Sequence, residues 1–362
     1  MQTVASYRRV AMPAIFGAFG LMLALSAQSA NAAELRNCSE GLQLFPKDRD
    51  LIDPQLLPIL ETMQPSSGER GGDMQSIRAH FLKGYKQRAA LAPAPVADGV
   101  KVEERYIPGP KGAPDIRVLI YSPERGQATH PLLLDIHGGS YILGFPEMND
   151  FRNRMLAKEL GAVIVSIDYR LAPENKFPAA LDDAYAALTW LNANAAGLHG
   201  DASKIVIAGD SAGGGIAASL ALMVRDKAEI PIKAQVLIYP HVDDRSFTNM
   251  DPSCAPGTGA ASNPVALLYL GRAPGPADAP QYAFAARAPS LAGVAPAFIA
   301  VGAVDGLAEQ DMKFAQRLID AGVPTEMHIY PGAFHGFDLA PEADVTKRFY
   351  GDLKSALRRA WK

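Results

Sequence analysis

Cysteine is nearly absent. The 362-residue chain carries two, Cys38 and Cys254, which excludes a disulfide-dense mini-scaffold and any zinc site built from four thiolates. Nor is there an excess of positive charge. Lys plus Arg total 35 against 38 for Asp plus Glu, a formal net charge of −3, and no basic stripe marks the electrostatic footprint of a nucleic-acid binder. His-Glu-x-x-His, a Walker loop, a dinucleotide fingerprint and a Cys/His cluster are all missing, so the sequence indicates no metal and no organic cofactor. Long apolar runs are missing too: the stretch from Ala14 to Ala27 falls short of the roughly 20 residues a membrane span needs. What is present is an ordinary apolar fraction, 48% hydrophobic with 20% charged. That excludes a disordered chain and fits a globular domain of enzyme size.

The N-terminal apolar run has a different context. Arg8 and Arg9 precede it, no acid occurs before Glu34, and Ala30-Asn31-Ala32 forms a small-x-small cleavage site. This is the order of a secretory signal peptide over residues 1–32, so the expectation is export, periplasmic or secreted, with no membrane span after cleavage. Tyr7 and Ala11 fit a twin-arginine signal poorly, and no Cys follows the run to carry a lipid. Cleavage removes two of the 35 basic residues and none of the 38 acids, taking the formal charge from −3 to −5. Cys38 and Cys254 would then meet an oxidising compartment, and the sequence leaves open a bridge between them or two free thiols.

Beyond the signal, residues 53–88 read as helical. Asp53-Pro54 resembles an N-cap with Pro at the first helical position, a second start lies at Asp73, and Ile77, Phe81, Leu82 and Tyr85 recur at helical spacing. A Pro/Ala-rich break at 91–95 follows. Strands are predicted over 101–107, 115–121, 131–137, 162–168, 204–209, 233–239, 297–302 and 325–330, with helices over 182–194, 212–224, 310–321 and 345–360. Near-continuous apolar strands alternating with helices imply an α/β fold with a mostly parallel sheet covered on both faces. The interval 241–290, rich in Pro, Gly and Ala, is too long for an idle connector. With residues 42–95 it reads as cap elements over the site of a single domain, 33–362.

The strongest chemical signal is Gly209-Asp210-Ser211-Ala212-Gly213-Gly214, a G-x-S-x-G between a predicted strand and a predicted helix. Such a turn is so tight that small residues must flank the serine, holding its Oγ out at the sheet edge. The N–H groups that follow lie at a helix N-terminus, where partial positive charge favours a developing oxyanion. On its own the motif also describes a phosphate-type loop or a packing turn. His137-Gly138-Gly139-Ser140-Tyr141 ends the third predicted strand, and glycines there let the backbone offer N–H groups to the same oxyanion. His137 itself reads as a structural hydrogen-bonding residue.

A nucleophilic serine needs a base, and the base needs an orienting acid. Of seven histidines, His335 follows the last strand in a loop that reaches the edge where Ser211 emerges. Asp305 lies three residues beyond the strand at 297–302, giving the chain order Ser211, Asp305, His335 that this fold uses. Asp305 could equally cap the following helix. Asp338, three residues after His335, is the rival acid, too near the base in sequence to reach its far ring nitrogen.

Together these pieces resemble the bacterial hormone-sensitive-lipase-like esterases of the α/β-hydrolase superfamily. The resemblance runs from about Asp53 to the C-terminus. It rests on His137-Gly138-Gly139, Tyr169-Arg170-Leu171-Ala172-Pro173-Glu174, Phe177-Pro178-Ala179-Ala180, the Ser211 elbow, Asp305-Gly306-Leu307, Ala321-Gly322-Val323 and His335-Gly336-Phe337. It implies an α/β-hydrolase fold with an eight-stranded sheet and a helical cap. It implies a triad of Ser211, Asp305 and His335, and an oxyanion hole from Gly138, Gly139, Ser140 and Ala212. Tyr141 would stand beside the substrate pocket.

Two departures stand out. Ser140 replaces the family's third glycine, which alters the acyl pocket, and the family's Asp-Pro-Leu-x-Asp-Glu becomes Asp305-Gly306-Leu307-Ala308-Glu309-Gln310. Arg170 and Glu174 are expected to form a buried ion pair, and Asp210 to hydrogen-bond beside the nucleophile without reacting. The function implied is hydrolysis of small carboxylic esters, short acyl chains foremost, by an exported serine hydrolase; whether it forms a homodimer stays open. An amidase, deformylase or lactonase could use the same parts. A non-catalytic receptor could use the fold, though it would have no need of His335.

Overall fold

The computed structural model describes residues 49–63, 74–89, 99–124, 128–245, 264–272 and 279–362. The signal segment and both cysteines lie outside the described residues. Within them, eight strands form one sheet: β1 (Val100–Ile107), β2 (Ile116–Pro123), β3 (His130–Ile136), β4 (Val163–Ile167), β5 (Gly200–Asp210), β6 (Ala234–Ile238), β7 (Ala297–Gly302) and β8 (Thr325–Tyr330). Their spatial order is β1-β2-β4-β3-β5-β6-β7-β8. β2 runs antiparallel to both of its neighbours, and every later pair is parallel.

The central strands are apolar on both faces because both faces are covered. On β3, Leu132, Leu134 and Ile136 join the core on one side while Leu133 points into the core on the other. Each such side chain, 0–1% exposed, stabilises the fold by about 1.5–3 kcal/mol relative to exposure. Two helices lie near the N-terminus, α1 (Leu57–Met63) and α2 (Met74–Ala89). They are followed by α3 (Asp150–Leu160), α4 (Ala179–Asn194), α5 (Ala212–Lys227), α6 (Pro264–Leu270), α7 (Ala308–Asp320) and α8 (Asp344–Ala360). Side chains of α4, α5 and α7 fill the first core, and those of α3 and α8 fill the second. Among the described residues no helix is long and apolar enough to cross a membrane.

Three findings differ from the sequence reading. α3 was not expected. It turns Arg152 and Asn153 inward beside Met155 and Leu156, so its buried face breaks the apolar periodicity that marks a helix. β5 begins at Gly200, and its early part pairs with β3 across a register shift. Arg170 and Glu174 do not pair with each other. The chain from 169 to 178 is not helical, so residues four apart do not share a face. Arg170 instead grips Asp183 of α4, with Nη2 2.7 Å from Oδ1, and Glu174 reaches the surface, where Arg78 of α2 holds it.

Candidate active site

β5 delivers the nucleophile candidate. Ser211 sits between β5 and α5 at φ 54°, ψ −120°, a strained conformation for a residue with a side chain. The turn is closed by contacts only glycine allows: a Cβ on Gly209 would meet Gly213 O at 2.2 Å, and one on Gly213 would meet Ile136 O at 2.1 Å. Backbone bonds pin the strained residue on both sides. Its N–H donates to Ile238 O at 2.9 Å, and its carbonyl accepts from His241 N–H at 2.9 Å and Gly215 N–H at 3.0 Å.

His335 comes from the loop after β8, and Asp305 from the turn after β7. These two segments are joined by their backbones, Val304 N–H donating to Ala333 O at 3.1 Å. The side chains then align. His335 Nε2 lies 2.9 Å from Ser211 Oγ, and His335 Nδ1 lies 2.9 Å from Asp305 Oδ2. Leu307 N–H holds the other carboxylate oxygen, Oδ1, at 2.8 Å. Asp305 and His335 are buried, while Ser211 keeps partial exposure. Ser211, His335 and Asp305 thus form one hydrogen-bonded line, with the carboxylate on the ring nitrogen facing away from the serine.

The glycine loop lies against this line. A Cβ on Gly138 would come within 3.2 Å of Ser211 Cβ. The N–H groups of Gly139, Ser140 and Ala212 have no hydrogen-bond partner among the described residues, as donors awaiting an oxyanion require. Gly138 departs from expectation as a donor. Its N–H already donates to Asp210 Oδ2 at 2.9 Å, so it anchors the loop and is not free for another acceptor. Ser140 and Tyr141 adopt left-handed backbone with φ of 57° and 64°. The serine that replaces glycine therefore costs conformational energy, of order 1–2 kcal/mol, without removing its amide.

Asp338 is not on His335: its Oδ1 accepts from Tyr239 OH at 2.6 Å. Burial raises its pKa, against the opposing pull of Arg152. Asp210 does not react with the serine either, being bound to Asn149, Arg152 and Gly138. His137 is buried, its Nδ1 at 2.7 Å from Gly138 O and its ring stacked on Tyr169. Tyr141 is also buried. Its OH donates to His241 O at 3.1 Å, and its ring stacks on Tyr269 of α6 at 3.9 Å with Phe284 edge-on at 6.4 Å. Burial lowers the pKa of His241 to about 4. Among the described residues no group of three His, Cys, Asp or Glu is placed to hold a metal ion.

Sequence reasoning missed Arg152, Asn149 and Asn153, which surround Asp135 and Asp210. The available signal was the pair of buried-type acids, Asp135 at the end of an apolar strand and Asp210 beside the serine. Each demands a donor from elsewhere in the chain.

Residues 133–339 match the model of a family described as having the alpha/beta hydrolase fold. The chain is 33% identical over 329 residues to carboxylesterase NlhH of Mycobacterium tuberculosis, covering 84% of this chain and 96% of that protein. It is 33% identical over 207 residues to the ethyl acetate hydrolase of Pseudomonas putida, covering 57% of this chain and 65% of that one. A solved bacterial heroin esterase superposes with a TM-score of 0.76 at 34% identity, over 86% of this chain and 99% of its own. Esterase LipW from Mycobacterium marinum superposes with a TM-score of 0.72 at 31% identity, over 87% and 98%.

Proposed function

Because the chain belongs to the bacterial hormone-sensitive-lipase-like esterases of the α/β-hydrolase superfamily, and so is a carboxylesterase-type serine hydrolase, we propose that Ser211, His335 and Asp305 carry out its ester hydrolysis and that short acyl esters are its preferred substrates. The observation that carries the residue assignment is the unbroken line Ser211 Oγ, His335 Nε2, His335 Nδ1, Asp305 Oδ2, each link 2.9 Å. His335 takes the serine proton as Oγ attacks the ester carbonyl. The oxyanion is met by the unengaged N–H groups of Gly139, Ser140 and Ala212, at a position where one such donor is worth 10²- to 10³-fold in rate. His335⁺ then protonates the departing alcohol, and a water activated by the same imidazole releases the acid from Ser211. Asp305 keeps Nδ1 protonated and stabilises the imidazolium without accepting its proton.

The short-acyl preference is supported by the aromatic stack of Tyr141, Tyr269 and Phe284, which puts bulk directly after the glycine loop. From the sequence, segments 42–95 and 241–290, described only at 49–63, 74–89, 241–245, 264–272 and 279–290, are proposed as cap elements, and residues 1–32, outside the described residues, as an export signal. The test is a panel of p-nitrophenyl esters from acetate to palmitate, run with wild type and Ser211→Ala. Wild type should show its highest kcat/KM between acetate and hexanoate, and Ser211→Ala should lose about 10⁴- to 10⁶-fold in kcat. A Ser211→Ala variant retaining a tenth of the activity sinks the residue assignment. Equal or better kcat/KM on palmitate sinks the chain-length assignment, and replacing Tyr269 with Ala should shift the optimum to longer chains.

A further inference from the structure

Resting on that reading of Ser211, His335 and the glycine loop, we propose that Arg152 is a positioning residue for the reaction, a buried guanidinium that locks the serine, oxyanion and histidine loops to one another through Asp210, Asp135 and Asp338. Three carboxylates converge on it, and each is a near neighbour in sequence of a different reacting loop. Asp135 precedes Gly138 by three residues, Asp210 immediately precedes Ser211, and Asp338 follows His335 by three. Arg152 Nη2 lies 2.9 Å from Asp135 Oδ1 and 2.8 Å from Asp210 Oδ1, and Nη1 lies 3.9 Å from Asp338 Oδ2. The guanidinium side chain is 5% exposed.

Asp210 passes the constraint to the oxyanion loop. Arg152 and Asn149 occupy its Oδ1, at 2.8 and 2.9 Å, while Oδ2 accepts the Gly138 N–H at 2.9 Å. With one oxygen held by Arg152 and Asn149, the other fixes the orientation of the peptide plane entering Gly138. The next planar unit, which carries the Gly139 N–H, is held through its carbonyl, with Gly138 O 2.7 Å from His137 Nδ1, so both units at the start of the loop are fixed. A second branch reaches the base. Asp338 accepts from Tyr239 OH at 2.6 Å, and the Tyr239 ring packs against the His335 imidazole with centroids 4.6 Å apart.

Only a planar fork of five donors serves carboxylates at several fixed angles at once; an ammonium is a point charge on a flexible stem. A purely structural purpose explains the cluster poorly. Three acids around one cation are a costly way to fill a core that apolar side chains could fill as well. What the cluster adds is registry among loops drawn from β3, β5 and β8.

The test measures kcat and KM separately on p-nitrophenyl acetate, with the full chain, for Arg152→Lys, Asp210→Asn and the double variant, alongside Tm and circular dichroism. Arg152→Lys should lower kcat by about 10- to 100-fold, a fraction of the 10²- to 10³-fold value of an oxyanion donor, with KM within threefold of wild type. The double variant should lose less than the product of the two single losses, since the Asp210 branch is shared between the two variants. A folded Arg152→Lys with kcat within threefold of wild type overturns the proposal, and so do losses that multiply in the double variant. If Arg152→Lys does not fold, the charge-balanced pair Arg152→Gln with Asp135→Asn is measured against the same limits. Failure of both to fold makes Arg152 a stability residue and equally overturns the proposal. An inactive wild type or an active Ser211→Ala would defeat the underlying reading, whereas normal Arg152 variants beside an inactive Ser211→Ala defeat only the positioning role.

Discussion

Replacing Asp305 by Asn should lower kcat by about 10³- to 10⁴-fold with little change in KM. The magnitude follows from the geometry. In the transition state His335 becomes an imidazolium whose Nδ1 sits 2.9 Å from Asp305 Oδ2, both residues being buried. At an effective dielectric of about 20, that charge pair is worth about 6 kcal/mol, which corresponds to ~10⁴-fold in rate. Geometry adds a second effect with the same sign. Leu307 N–H holds Oδ1 at 2.8 Å, so an Asn keeps its carbonyl there and turns its NH₂ toward Nδ1. The ring must then accept at Nδ1 and carry its proton on Nε2, facing Ser211 Oγ, where it cannot act as a base. Asp338→Asn should change kcat less than about tenfold, near 1.4 kcal/mol, because Asp338 bonds Tyr239 and not the imidazole. Steady-state kinetics on p-nitrophenyl butyrate, with Tm to verify folding, decide the matter. Asp305→Asn above a tenth of wild-type kcat, or Asp338→Asn the more damaging of the two, would refute the reasoning.

Gly139→Ala should cost at least about 10²-fold in kcat, because Gly139 has φ +121° and a Cβ there would meet Leu143 O at 2.2 Å; near-normal kinetics would remove this loop from the oxyanion role. Asp311 is buried with neither carboxyl oxygen hydrogen-bonded among the described residues, and burial, then the charge of Asp305, pushes its pKa well above 3.8. Its stabilising contribution is complete below pH 3.8 and is lost as pH rises toward the folded-state value, so Asp311→Asn should raise unfolding stability by about 1–3 kcal/mol at pH 8 and by less at pH 5, read from urea melts. His241 is shifted the other way, from the usual 6.5 to about 4 by burial. The unfolded chain therefore binds its proton first, and stability should fall between pH 6.5 and 4 by up to roughly 1.4 kcal/mol per pH unit; an unchanged slope in His241→Asn would exclude it as the source.

Much of the site was legible in one dimension because its determinants are local. The Gly209 contact with Gly213 O that shapes the elbow joins residues only four apart, and a strand-turn-helix pattern around a serine has few geometric solutions. The central strands β3, β4, β6 and β7 could be read from continuous apolar runs, since the parallel part of a sheet covered on both faces leaves no polar alternation to confuse them. The pairing of His335 Nδ1 with Asp305 in place of Asp338 was readable too, because a carboxylate arriving on a different strand end can reach the far ring nitrogen.

The sequence by itself determined the order of the strands, the motifs of the elbow and the glycine loop, and the choice of Ser211, His335 and Asp305 as candidates. Tertiary structure alone decided which distant groups meet. Ser211 and His335, 124 residues apart, come within hydrogen-bond distance only because β5 and β8 end at the same edge of one sheet. The commitment of Gly138 N–H to Asp210 and the partners of Arg170 and Glu174 were invisible for the same reason. So was α3, whose inward face presents Arg152 to three carboxylates and hides the helix from any search for apolar period. Local sterics can be read along a chain, but a buried polar group takes its meaning from partners that only the folded packing supplies.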